Sequence, residues 1–172
     1  MKMAFDLITV KTKNNQIKSD MIKESNYKFF LENMILVCVD LIVKDQNNKI
    51  LLLKRKDEPL ANTYCVPGGR VFKNEMIHEA VKRKVKEELG IDGKLKEIID
   101  VFQVVFESGP LGMDEGTHII SFLVEVEWNK KQNITIDNDH ANFIFSDKAE
   151  DEYHPYLKKI FESVKMQILR GG

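Results

Sequence analysis

The sequence predicts an α/β fold in which a mixed β-sheet is sandwiched between helices. Three observations predict it. Apolar, β-rich runs of strand length lie on both sides of one highly charged helical stretch, residues 75–89. That stretch stops at Gly90, a residue suited to ending a helix. A second set of apolar residues then recurs at helical spacing near the C-terminus, so strands surround one helix and precede another.

Residues 1–33 form an N-terminal extension of mixed composition, with a short strand expected at Leu7–Lys11 and a helical segment ending near Asn33. The domain proper is expected to run from 34 to 172, as a single unit without repeats or linkers. Ile35–Val43 is almost continuously apolar and reads as a central strand. The polar turn Lys44–Asn48 leads to Lys49–Arg55, expected to be its hairpin partner. Pro67-Gly68-Gly69 reads as a turn, and a helix follows from about Glu75 to Leu89. Further strands are expected at Asp100–Phe106, Thr117–Trp128 and Asn142–Phe145. Leu157, Ile160, Phe161, Val164 and Ile168 define a closing amphipathic helix.

Composition narrows the class. With 43% hydrophobic and 31% charged residues, the chain is globular and unusually charged for its size. Its 26 basic and 27 acidic residues balance to −1, which argues against a nucleic-acid backbone as the main partner. No apolar run approaches the roughly 20 residues that span a membrane, and the N-terminus is too polar for a signal sequence. Cys38 and Cys65 lack the close spacing of a zinc or redox motif, so core packing in a reducing compartment is expected. A cytoplasmic location is the expectation.

The charged helix carries the chemistry. At about 100° per residue, Ile77, Val81 and Val85 form one apolar stripe, with Ala80 on its flank. Glu88 falls about 20° from Ile77, inside that stripe rather than on the solvent side. A buried carboxylate needs a compensating partner. Lys84, one turn earlier, offers an ion pair, although in the less favourable order. A hard divalent cation is the other candidate, and helix geometry leaves both open. The adjacent Glu87 favours a cation, because two consecutive carboxylates at a helix C-terminus oppose the macrodipole and each other. Arg83, spaced four residues from both Glu79 and Glu87, could brace these ligands from behind.

Gly69, Glu75, Arg83, Val85, Glu87, Glu88, Gly90 and Ile91 fall at the fixed spacings of the Nudix box, a signature far more specific than a short glycine motif. The chain therefore resembles the Nudix hydrolase family, which includes MutT-like enzymes. The resemblance implies an α/β/α sandwich with a mixed sheet and the box as loop-helix-loop. It also implies Mg²⁺ (with Mn²⁺ as an alternative) on a diphosphate substrate. Relatives are often dimers, so residues 1–33 would pack on the domain or on a dimer partner.

One box position departs: Lys84 stands where the family usually has Glu. A charged lysine cannot bind Mg²⁺, and its ammonium could replace one cation, so fewer metals per site are expected. A base must then come from elsewhere. Of the four histidines, His78 falls near the start of the helix, His118 opens a strand and His154 precedes Pro155. His140 lies in a polar loop, Asp137-Asn138-Asp139-His140, between two predicted strands.

Val39–Val43, Lys54-Arg55, Val66–Val71 and the acidic loop ending in His140 resemble the GDP-mannose mannosyl hydrolase branch of the family. That branch also lacks the usual box Glu and attacks the sugar's anomeric carbon with a histidine from the corresponding loop. Two positions depart from it, since Asp139 replaces a typical Gln ligand and Glu87 is retained.

The expected activity is Mg²⁺-dependent hydrolysis of a nucleotide sugar, GDP-mannose foremost. His140 is the expected base, and Glu88, Glu87, Asp139 and the Gly68 carbonyl are the expected metal ligands. Arg55 and Arg70 would clamp the diphosphate, for which guanidinium is suited. Asp40, the one carboxylate in an apolar strand, would contact the sugar or orient His140. Pyrophosphatase action on ADP-ribose, another nucleotide sugar or a nucleoside triphosphate is the enzymatic alternative. A non-catalytic nucleotide sensor is the other.

Overall fold

The computed structural model describes residues 22–58, 60–107, 109 and 116–171; the strand expected at 7–11 lies outside them. The elements are α1 (Glu24–Asn33), β1 (Leu36–Ile42), β2 (Ile50–Arg55), β3 (Tyr64–Cys65), β4 (Gly68–Arg70), α2 (Ile77–Leu89), β5 (Gly93–Phe106), β6 (Thr117–Trp128), β7 (His140–Ser146) and α3 (Pro155–Gly171). They form a four-stranded sheet ordered β4-β1-β6-β5 and a three-stranded sheet ordered β3-β2-β7. The four-stranded sheet is mixed: β1 runs parallel to β6 and antiparallel to β4. This is the α/β class that the sequence predicts.

Strand β1 explains the arrangement. Val39 and Leu41 on one face, with Val43 just past the strand's end, join the core that holds Val81, Val85 and Leu89 of α2. Ile42 on the other face joins Leu157, Ile160 and Val164 of α3. A strand covered on both faces is apolar nearly throughout, as its sequence is. Leu157 and Ile160 are fully buried, and each such side chain contributes roughly 1.5–3 kcal/mol of transfer free energy.

Several expectations are corrected. β2 is not the hairpin partner of β1; it pairs with β3 and β7, and only an isolated Lys44–Ile50 bridge joins the two segments. The Lys44–Asn48 turn moves the chain between sheets, so both strands can be buried on two faces. Gly68–Arg70 is strand β4 rather than part of a turn, because glycine permits close approach to β1. β5 begins at Gly93 rather than Asp100; alternating Lys94, Lys96 and two register shifts disguise its first half. The α3 stripe stops short of Ile168, which is 63% exposed. Among the described residues no helix is long and apolar enough to cross a membrane.

Candidate active site

Helix α2 begins at Ile77, where Glu79 Oε2 accepts the Met76 N–H at 2.8 Å. It ends at Gly90, whose φ of 67° terminates the helix in the left-handed region. Ile77, Ala80, Val81, Val85 and Leu89 are buried, and Glu88 is buried with them at 5% exposure. Both carboxylate oxygens of Glu88 are engaged. Oε1 lies 2.5 Å from Lys84 Nζ, and Oε2 accepts the Gly68 N–H at 2.9 Å. Burial pushes the Glu88 carboxyl up, opposed by the Lys84 ammonium, the Gly68 amide and His140. The Lys84 pair anticipated from helix spacing is therefore present.

Gly68 can make this contact because a side chain there is excluded. A Cβ would lie 2.2 Å from the Val39 carbonyl oxygen, so the β4 backbone sits directly on β1. Asp40 Oδ1 is next to it, 3.2 Å from that Cβ position. Asp40 is also held from α3: Tyr156 donates its hydroxyl hydrogen to Asp40 Oδ2. Burial raises Asp40 to about 6, with the Ser121 and Tyr156 hydroxyls opposing the rise.

Glu87 points elsewhere. Successive helical residues diverge by about 100°, so the box carboxylates cannot share a face. Glu87 is half exposed and meets Arg83 Nη1 at 3.0 Å and Lys84 Nζ at 3.4 Å. Arg83 is bound mainly by Glu75, with Nε–Oε1 at 2.6 Å and Nη2–Oε2 at 2.8 Å, and also donates to the Arg70 carbonyl. Glu79 is not a rung of this ladder; its carboxylate caps α2 instead. Glu75 was visible only as a box position, because its partner lies eight residues away.

His140 opens β7 rather than lying in the loop, since it pairs in register with Arg55 across a bulge in β2. It is 8% exposed, and its Nδ1 is 2.7 Å from Asp137 Oδ1. Asp137, not Asp40, orients His140. The signal was an Asp three residues before the histidine, in the loop that leads into β7. Lys56, just past the end of β2, pins this loop by its Nζ to the Asn138 carbonyl at 2.6 Å and its N–H to the Asp139 carbonyl at 3.1 Å.

These residues line one cavity of about 320 Å³, bounded by Asp40, Arg55, Gly68, Arg70, Glu88, Asp139 and His140. Arg55 is held by the carbonyls of Asp57 and Glu58. The Arg70 guanidinium lies 5.2 Å from the ring centres of Tyr27 and Phe72. Glu87 does not line the cavity.

The donors suit a hard cation shared with a ligand. Glu88 and Asp139 line the cavity, but no three His, Cys, Asp or Glu side chains among the described residues gather as a closed metal cage. Mg²⁺ commonly needs only one or two carboxylates, with phosphate oxygens and water completing its octahedron. Glu88 and Asp139 are therefore donors of the type and number that fit Mg²⁺.

Residues 34–162 match the family described as NUDIX domain. The low-salt glycan biosynthesis protein Agl8 of Haloferax volcanii is 27% identical over 143 residues, 83% of this chain and 90% of that protein. The ADP-ribose pyrophosphatase of Methanocaldococcus jannaschii is 40% identical over 92 residues, 52% of this chain and 50% of that protein. The MutT protein of Methanosarcina mazei Go1 has a similar fold, with a TM-score of 0.65 at 21% identity. That likeness covers 78% of this chain and 95% of that one.

Proposed function

This chain belongs to the Nudix family and is a Nudix hydrolase, and from that premise we propose that it hydrolyses a nucleotide sugar, GDP-mannose foremost, at the anomeric carbon. The observation that carries the reading is the buried His140 at the cavity wall, held by Asp137, while Lys84 occupies the usual place of a box glutamate. If Nδ1 donates its hydrogen to Asp137, Nε2 retains the lone pair a general base needs.

His140 would take a proton from water as the water oxygen bonds to the anomeric carbon. The bond from that carbon to the bridging oxygen breaks, and the nucleoside diphosphate leaves with the electron pair. Such a displacement is oxocarbenium-like, as in inverting glycosidases. Asp137 holds the ring and stabilises its protonated form. Arg55 and Arg70 clamp the diphosphate. Tyr156 occupies Asp40 Oδ2, which directs Oδ1 to a sugar hydroxyl. Glu88 and Asp139, with the Gly68 carbonyl, would hold Mg²⁺ or Mn²⁺, whose chemistry is to stabilise charge on the leaving diphosphate. Glu87 would act from outside the cavity through Arg83 and Lys84.

A second reading is cleavage of a P–O bond. The retained Glu87 and the 40% identity to an ADP-ribose pyrophosphatase over 92 residues favour it. Steady-state kinetics of His140→Gln separates the two, and Glu88→Gln tests the metal site that both require. The first reading predicts that His140→Gln slows turnover roughly 10²–10⁴-fold with substrate affinity kept, and that Glu88→Gln abolishes Mg²⁺-dependent turnover. Near-normal turnover by His140→Gln removes His140 as the base.

A further inference from the structure

The cavity continues beyond the groups used above. Leu36, Cys38 and Asp40 line it from one face of β1. At about 3.3 Å per residue, Leu36 lies roughly 13 Å along the strand from Asp40. Arg70 is the register partner of Cys38, midway between them. With the diphosphate at Arg70 and the sugar at His140, a placement that rests on the nucleotide-sugar reading, the nucleoside faces the Leu36 end.

That end is lined by Tyr27, Leu31, Leu36, Phe106, Thr117 and Ile119, none of them charged. A sugar there would leave most of its hydroxyls without partners, whereas a nucleobase presents a flat apolar face and a polar edge. One atom can read such an edge. Thr117 is 7% exposed, and its Oγ1 has no hydrogen-bond partner among the described residues. An unpaired buried hydroxyl destabilises the protein that carries it, and a ligand supplying the missing bond relieves that cost.

Helix α1 closes this end. Tyr27 and Leu31 are four residues apart, so they share a face, and Leu31 is 5% exposed. The Tyr27 ring also meets the Arg70 guanidinium at 5.2 Å, which couples this wall to the diphosphate clamp. Residues 24–33 precede the family domain at 34–162, so the domain alone lacks both side chains.

We propose that α1, although outside the family domain, completes a nucleobase subsite in which Thr117 Oγ1 bonds the base edge and Tyr27 and Phe106 bound its ring. Thr117 is then a specificity-determining residue, and α1 is part of the binding site.

Isothermal titration with Mg²⁺ tests this, using GDP, ADP, UDP and CDP, with inorganic pyrophosphate as the base-free probe. Wild type should bind at least one nucleoside diphosphate 10-fold or more tighter than pyrophosphate. Thr117→Val should weaken that nucleotide about fivefold to tenfold, the loss expected for one hydrogen bond, and leave pyrophosphate unchanged. Tyr27→Leu should weaken the nucleotide more than pyrophosphate. Thr117→Val should melt no lower than wild type, since it removes an unpaired hydroxyl and keeps the volume. Nucleotide affinity unchanged in Thr117→Val, pyrophosphate weakened equally, or no wild-type preference for nucleotide each overturns the subsite. Nucleotide-sugar turnover by the wild type is scored separately. Turnover with binding insensitive to Thr117 removes the subsite alone, and sensitive binding without turnover removes the reaction alone.

Discussion

Replacing Lys84 with methionine isolates the departure that shapes this site. The substitution keeps an unbranched apolar stem but removes the ammonium 2.5 Å from Glu88 Oε1. The two side chains are 16% and 7% exposed, so the pair behaves as a buried one. Removing one partner of such a pair typically costs about 3–5 kcal/mol. Glu88 keeps the Gly68 amide, which places the loss near 3 kcal/mol. For a domain of this size that corresponds to a fall in Tm of roughly 6–12 °C in EDTA. If Glu88 is a metal ligand, Mg²⁺ should restore most of the loss, since a ligand at 100 times its Kd contributes about 2.7 kcal/mol. Differential scanning calorimetry with and without Mg²⁺ reads both quantities. A variant within 2 °C of wild type in EDTA (roughly 1 kcal/mol or less), or a Mg²⁺ shift no larger than wild type's, would refute the reasoning.

Glu75→Ala removes a carboxylate with 2% side-chain exposure and both of its short contacts to Arg83. Urea unfolding should show a loss of about 3 kcal/mol, and a loss below about 1 kcal/mol would show that Glu87 and the Arg70 carbonyl suffice for Arg83. Asp40 should make wild-type stability fall with rising pH. Its folded value of about 6 exceeds the ordinary 3.8, so its contribution is full below pH 3.8 and lost as pH rises through about 6. The difference amounts to roughly 3 kcal/mol. Urea titrations between pH 4 and 7 should show this slope in wild type and its absence in Asp40→Asn; parallel profiles would exclude it.

The buried stripe of α2, the Gly90 stop, the central β1 and the whole of β6 were legible in the sequence, because each depends on local periodicity or a local backbone preference. Glu88 was legible for the same reason, as a charge on an apolar face. What was not legible depends on contacts distant in sequence. The sheet to which β2 belongs is decided by its pairing with β7, some 90 residues away. The Tyr156–Asp40 bond spans 116 residues and has no local signature. The separation of Glu87 from Glu88 could have been read from helix geometry, but the motif groups them as one pair. α1 was expected as a helix, yet nothing in its own sequence says which face of the domain Tyr27 and Leu31 meet.

The central claim is attack at the anomeric carbon, and the position of the incoming oxygen tests it most directly. Hydrolysis of GDP-mannose with Mg²⁺ in ¹⁸O-labelled water, followed by mass spectrometry of both products, should give unlabelled GDP and mannose carrying the label. Label in GMP or in mannose phosphate would contradict the account and move the reaction to phosphorus.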